Sequence, residues 1–145
     1  MINNRYLDVA KIILNSISQT DKELRKDTSL RDYLARTAIS RAYEGLFLDL
    51  FYYFTDYLKI PYTEMKKVAK EFYKERGIKI PINKHTAVGA YLSINYGEKF
   101  GLMYEKLRKA RNEVDYYLDI SIPLDNKSIK EYIKMAEMII SEVIF

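Results

Sequence analysis

The sequence predicts an all-α protein: an antiparallel bundle of five or six helices in a single domain spanning residues 1–145. Three observations predict this fold. Apolar residues recur at spacings of three and four along most of the chain. No alternating stretch is long enough to form a strand, and no internal repeat is visible. A chain of 145 residues with 48% hydrophobic content is also long enough to bury one substantial core.

The first two helices are predicted from apolar spacing and from a capping signal. The first spans Asn4 to Leu24, and the second, the longest, spans Leu30 to Leu58. Asp27, Thr28 or Ser29 can cap the second helix, and Pro61 stops it because the residue before a proline resists helical angles. The inward stripe of the first helix comprises Tyr6, Val9, Ala10, Ile13, Ile17, Thr20 and Leu24.

The second helix carries two apolar faces. Its small face comprises Ala35, Ala38, Ala42 and Gly45, and its large face comprises Ile39, Tyr43, Leu46, Phe47, Leu50, Phe51 and Phe54. Small residues allow another backbone to approach closely, while bulky residues fill a core. A helix that is apolar on two sides needs two layers of neighbours or a second subunit.

Two further helices follow Pro61. One spans Tyr62 to Arg76 and ends at Gly77, and the other spans Lys84 to Tyr96 with Asn83 as its cap. Residues 77–84 form the loop between them. The third helix directs Met65, Val68, Phe72 and Arg76 inward and Lys67, Lys70 and Lys74 outward. We interpret this lysine row as a solvated helix face.

The fifth helix, Tyr104 to Asp119, follows a short turn bracketed by Gly97 and Gly101. It combines an apolar face with charged residues that an ordinary core helix would avoid. The apolar positions are Leu107, Ala110, Val114 and Leu118, with Tyr104 and Tyr117 beside them, and the charged ones are Arg108, Arg111 and Asp115. Arg111 and Asp115 are four residues apart and can form an ion pair. After a loop from Ile120, Asp125 or Asn126 caps a last helix that ends at Val143.

Composition excludes several classes of site. Cysteine is absent, which removes disulfides and thiolate chemistry. The single histidine removes any metal site built on two imidazoles, and we predict no metal and no cofactor. The formal charge of +4 permits a nucleic-acid partner without requiring one. No signal peptide or membrane-spanning run is visible, so we expect a cytoplasmic protein, and the residue usage leans towards a thermophile.

Three segments, taken in order, resemble motifs of the HEPN-domain family. Residues 38–47, AISRAYEGLF, resemble the family's SRAYYAxF helix. Residues 84–88, KHTAV, resemble its HxxV helix start, and residues 107–116, LRKARNEVDY, resemble its LxxxRxxADY segment. The resemblance implies a helical bundle that forms a homodimer with its arginine-bearing helices facing each other. Many HEPN proteins are metal-independent ribonucleases, and many are toxins paired with a minimal nucleotidyltransferase in toxin–antitoxin systems.

The family's active motif is an arginine, a polar residue, a few more residues and then a histidine, and this chain departs from it. Arg111 and Asn112 match its first half, but positions 116–118 hold Tyr116, Tyr117 and Leu118 where the histidine should stand. Tyrosine, with an unperturbed pKa of about 10, is a poor base at neutral pH. Asp115 would be a weak base beside Arg111. A lone histidine such as His85 is more often a surface or hydrogen-bonded residue than a catalytic one.

Three hypotheses remain from the residues and the resemblance. The first is a HEPN-like homodimer that binds RNA or nucleotide phosphates through Arg41, Arg108 and Arg111 and is weak or inactive as a ribonuclease. The second is a protein-interaction module that docks a nucleotidyltransferase. The third is an active metal-independent endoribonuclease that uses Arg111, Asn112, Asp115 and Tyr116, or His85. The alternative interpretation of Arg111 and Asp115 is a structural ion pair, and that of Arg41 is a helix-surface charge.

Overall fold

The computed structural model describes residues 5–19 and 28–145, and within these residues it is an all-helical bundle without strands. The described residues contain six α-helices: α1 (Tyr6–Gln19), α2 (Thr28–Tyr52), α3 (Tyr62–Glu75), α4 (Lys84–Tyr96), α5 (Glu98–Tyr116) and α6 (Asn126–Val143). A π-helical segment, Tyr53–Tyr57, continues α2. The all-α prediction is confirmed. The predicted ends of the first helix, Asn4 and Leu24, and the candidate cap Asp27 lie outside the described residues.

Helix α2 is the centre of the bundle and contacts α1, α4, α5 and α6. The prediction that it has two buried faces is confirmed. Its small face allows α1 to approach closely, because a Cβ added at Gly45 would lie 3.0 Å from the backbone nitrogen of Leu7. Most large residues on its other side, including Tyr43 and Phe54, are fully buried in the core, while Phe51 is partly buried. Both faces are therefore covered by helices of the same chain.

Helices α4 and α6 begin where the sequence places them, because their caps are local. The Asn83 side chain accepts a hydrogen bond from the Thr86 backbone N–H, and the Thr86 hydroxyl accepts one from the Asn83 backbone N–H. This reciprocal pair is a capping box. In the same way, Asp125 accepts a hydrogen bond from the Ser128 backbone N–H at the start of α6.

Helix α5 differs from its prediction at both ends. It begins at Glu98, six residues before Tyr104, so Gly101 lies within the helix and only Gly97 separates α4 from α5. It ends at Tyr116, three residues before Asp119. As a result, Tyr117 and Leu118 do not join the apolar helix face and are 60% and 95% exposed.

The early end of α5 has a long-range cause, because Arg36 of α2 binds one carbonyl in the last turn of the helix and two carbonyls just beyond its end. Its guanidinium donates to the carbonyl oxygens of Tyr117 at 2.6 Å, Leu118 at 2.7 Å and Val114 at 3.3 Å. Asp32 accepts a hydrogen bond from Arg36 Nε at 2.8 Å and holds the guanidinium in this orientation. Carbonyls at a helix C-terminus lack partners within the helix, so a cation supplied by α2 stabilises the end of α5 at this residue.

Two smaller differences concern α3 and α1. Arg76, expected to point inward, is exposed and stacks over the Phe72 ring at 3.6 Å. Helix α3 instead buries Met65, Ala69 and Tyr73 against α4. Val9 of α1, also expected inward, is 38% exposed. Across the described residues, no helix combines the length and the apolar character needed to cross a bilayer.

Candidate functional site

A groove of about 430 Å³ lies where the first half of α2 meets the end of α5, and we call it the α2–α5 groove. Its size lies within the range of small-molecule sites. The residues that line it are mainly polar or charged: Tyr33, Arg36, Thr37, Ser40, Arg41, Glu44, Val114 and Asp115. The groove therefore joins the two segments that carry the motif-like sequences at residues 38–47 and 107–116.

Arg111 stands behind the groove and forms ion pairs with two carboxylates. Its Nη2 atom lies 2.9 Å from Glu44 Oε1, across the α2–α5 contact, and its Nε atom lies 2.9 Å from Asp115 Oδ2 on its own helix. Only 17% of the Arg111 side chain is exposed. The ion pair expected from the four-residue spacing is present, and Glu44 adds a second partner from another helix. Two carboxylates thus compensate one buried guanidinium.

The Arg111 Nε–H group is nevertheless left without a well-directed acceptor. Its nitrogen is buried, and although Asp115 lies at ion-pair distance, the N–H geometry makes no hydrogen bond to any residue that the structure describes. Asp115 Oδ2 accepts a hydrogen bond from Ser40 Oγ at 3.1 Å instead. A buried donor without an acceptor costs about 1–3 kcal/mol. The Nε–H of Arg111 is therefore a buried donor behind the groove whose cost is offset by the ion pair with Asp115.

Of the two arginines that line the groove, Arg36 and Arg41, only Arg41 lacks an ion pair with a carboxylate of the described residues. Its guanidinium carbon lies 5.3 Å from the centre of the Tyr6 ring, a cation–π contact. Within the described chain it forms no ion pair, in contrast to Arg36, Arg108 and Arg111. An arginine of this kind keeps its donors available for an anion.

The other predicted site residues are more dispersed. Arg108 forms a forked ion pair with Glu105, three residues earlier on α5, and does not line the groove. Asn112 is partly buried on α5. Tyr116 is 70% exposed, and its ring centre lies 5.7 Å from the Arg111 guanidinium carbon. The structure thus brings Arg41, Arg111 and Asp115 to one place and leaves Arg108 outside it.

The single histidine belongs to a buried hydrogen-bond chain behind the groove. Tyr104 Oη donates to the His85 carbonyl at 2.8 Å, and Tyr43 Oη lies 2.9 Å from Tyr104 Oη and 2.7 Å from His85 Nδ1. Because Tyr104 uses its only proton on the carbonyl, Tyr43 must donate to Tyr104. His85 must then donate from Nδ1 to Tyr43. We infer that the neutral ring carries its proton on Nδ1.

Burial lowers the pKa of His85 below its usual value, and the charge of Arg111 lowers it further, while Glu44 partly opposes the shift. Burial also raises the pKa of Tyr43 far above its ordinary value. Both groups therefore hold their neutral forms at pH 7. Neither lines the groove, and the exposed residues at the histidine position of the motif supply no imidazole there.

The lowered His85 pKa predicts a pH dependence of stability. In the unfolded chain the ring takes up a proton near pH 6.5, whereas the folded protein resists protonation, so the free energy of unfolding falls as pH falls through this value. Urea unfolding between pH 5 and pH 7.5 measures the slope. We expect the wild type to lose more stability than His85→Gln below pH 6.5, and equal slopes would contradict this assignment.

Two residues of the candidate site, Glu44 and Arg36, lacked a sequence signal strong enough to identify them. Glu44 lies three residues after Arg41 on α2, but its role requires the docking of α5. Arg36 binds carbonyls more than 70 residues away in the chain. In the described part of the chain, no three acidic or histidine side chains converge as metal ligands would. A scan against protein-family models matched none of them, and searches of curated proteins and of solved structures also found no match.

Proposed function

We propose that this chain is a HEPN-like protein that acts as a homodimer and binds RNA or nucleotide phosphates in the α2–α5 groove, with weak or no ribonuclease activity. The observation that carries the proposal is Arg41, a groove arginine without a counter-ion among the described residues. Arg111 lies behind the groove, where Glu44 and Asp115 compensate its charge. Phosphate oxygens are strong acceptors for the guanidinium of Arg41.

The same geometry supports binding rather than cleavage. Metal-independent cleavage of RNA needs a base, an acid and a cation that stabilises the phosphorane. Glu44 and Asp115 already compensate the charge of Arg111. His85 is engaged with Tyr43 and does not line the groove. Tyr116 and Tyr117 lie at the histidine position of the motif, so no imidazole stands there.

A homodimer is supported by exposed apolar side chains beside the groove. Tyr33, Tyr116, Tyr117 and Leu118 are 64%, 70%, 60% and 95% exposed. Tyrosine and arginine are enriched in protein interfaces. The same surface supports the alternative function, in which the partner is a minimal nucleotidyltransferase and the chain is a protein-interaction module of a toxin–antitoxin pair.

The proposal predicts that Arg41→Ala weakens binding of a short phosphorylated ligand. Titration calorimetry with a 5′-phosphorylated tetrauridylate should show wild-type binding and a loss of about 10–100-fold in the variant, the range expected for one charged hydrogen-bond donor. Arg5→Ala is the matched control, because Arg5 is an exposed arginine outside the groove. Arg111→Ala is less informative, because it leaves two carboxylates without their cation.

Three outcomes separate the hypotheses. Uncut RNA after long incubation with EDTA, together with phosphate-dependent binding, supports the proposal. Cleavage under the same conditions supports the endoribonuclease. Absence of binding, together with the mass of a monomer by light scattering, contradicts the proposal and favours a protein-interaction module that binds a different partner.

A further inference from the structure

The positive charge of the molecule is concentrated in one segment, residues 57–84, which we call the basic segment. It contains eight Lys and Arg residues and three Glu residues, for a formal charge of +5, whereas the whole chain carries +4. The rest of the chain is therefore slightly acidic. The segment comprises α3 and its flanking loops, and α3 packs only on α4 among the contacts that define the bundle.

The cations of the basic segment are not neutralised by any carboxylate of the described residues. None of its eight Lys and Arg side chains forms an ion pair with a residue that the structure describes, although three glutamates lie on the same helix. At about 100° per residue, Lys66, Lys67, Lys70 and Lys74 occupy one arc of α3 of about 100°. Glu64, Glu71 and Glu75 occupy a separate, adjacent arc.

The opposite side of α3 fixes the lysine row in place. Met65, Ala69 and Tyr73 are buried, and the Tyr73 hydroxyl donates to the Thr86 carbonyl of α4 at 3.1 Å. Lys67, Lys70 and Lys74 are exposed, and the axial distance from the first to the last is about 10 Å. The row is thus a preformed line of cations on a helix that is held by its apolar side.

We propose that the basic segment binds the phosphate backbone of a single-stranded nucleic acid. A line of exposed lysines complements the regularly spaced charges of such a strand. Tyr57, at the start of the segment, is 71% exposed and stacks on Tyr53 with ring centres 5.2 Å apart, which offers a platform for a base. The apolar side of α3 is occupied by α4, so no amphipathic face is left to enter a bilayer.

This surface is distinct from the α2–α5 groove, and the proposal does not depend on phosphate binding there. The test measures the affinity of the full chain for a fluorescent 20-nucleotide uridine RNA by anisotropy at several KCl concentrations. Each phosphate contact to a single strand contributes about 0.7 to the slope of log K against log salt. The triple variant Lys67→Gln, Lys70→Gln, Lys74→Gln is therefore expected to reduce that slope by about 2.

The chain offers a matched control on α6. Lys127, Lys130 and Lys134 have the same spacing and are also exposed, but three glutamates of α6, Glu131, Glu137 and Glu142, balance their formal charge. Changing all three to Gln is expected to leave the slope unchanged. Tyr57→Ala is expected to weaken binding about five-fold or more without changing the slope, because stacking is not a counterion effect.

Three results would overturn the proposal. The first is that the wild type fails to bind the RNA, and the second is that the α3 and α6 variants lose the same amount of slope. The third is that the wild type binds polyglutamate or anionic lipid vesicles as tightly as it binds the RNA. If the α2–α5 groove does not bind phosphate, the two experiments give a different pattern. In that case Arg41→Ala has no effect on the short phosphorylated ligand, while the α3 variant still loses its slope with the long RNA.

Discussion

Replacing Arg36 by alanine is expected to lower the free energy of unfolding by about 2–4 kcal/mol, because three carbonyls at the end of α5 lose a charged donor. Asp32 loses its partner in the same change. The Arg36 side chain is only 19% exposed, so water replaces these bonds incompletely. The midpoint of thermal unfolding should fall by about 6–12 °C. Urea unfolding measures the first quantity and calorimetry the second.

Arg36→Lys is the informative comparison. Lysine keeps the positive charge but lacks the planar fork that reaches three carbonyls and one carboxylate together. We expect it to lose about half as much stability as alanine. Amide exchange of Tyr117, whose N–H bonds to the Glu113 carbonyl, should accelerate in both variants. A loss below 0.5 kcal/mol for Arg36→Ala would show that the contact contributes no more than an ordinary surface charge.

Gly101→Ala is expected to cost about 2 kcal/mol or more, although alanine is the better helix former. A Cβ at this position would lie 1.7 Å from Ser93 Oγ, 2.7 Å from Ser93 Cβ and 3.2 Å from Ser93 Cα. Rotation of the Ser93 hydroxyl would relieve only the first of these contacts. The remaining ones force α4 and α5 apart or displace the start of α5. Chemical denaturation of the purified variant gives the loss directly.

A double-mutant cycle isolates the contact. Ser93→Gly removes the Oγ and Cβ atoms that the new methyl group would meet, so the cost of Gly101→Ala should be smaller in that background. Lys99→Ala, at an exposed position on the same helix, should change stability by less than about 0.5 kcal/mol. Additive losses in the cycle would mean that the close approach of Ser93 is not the cause.

Arg36 and Gly101 also show which features of the fold could be predicted from the sequence and which could not. The starts of α4 and α6 depend on side chains within three residues of the cap, Asn83 with Thr86 and Asp125 with Ser128. Such contacts are encoded locally and were predictable. The first part of α5 depends on the close approach of Ser93, which is possible because Gly101 has no side chain. The end of α5 depends on Arg36, which binds carbonyls in and just beyond the last turn. Neither contact exists until the helices pack together, so local propensity could not reveal it.

The candidate site also combines contacts that the sequence predicts with contacts that only tertiary packing creates. The ion pair between Arg111 and Asp115 follows from their spacing on one helix and was expected from the sequence. Glu44 joins it only when α2 and α5 meet. The hydrogen-bond chain through Tyr43, Tyr104 and the histidine needs three helices. Sequence patterns therefore indicated the charged residues, while tertiary packing decided which of them remain available to an anion.

The π-helical segment at the end of α2 determines how the chain leaves the centre of the bundle. The Leu58 backbone N–H bonds to the Tyr53 carbonyl and the Ile60 backbone N–H to the Phe54 carbonyl, so this turn is wider than an α-helical one. Pro61 follows directly and is the N-cap of α3, which packs on α4. The wide turn is therefore the point at which the chain passes from the central helix to the helix that carries the lysine row.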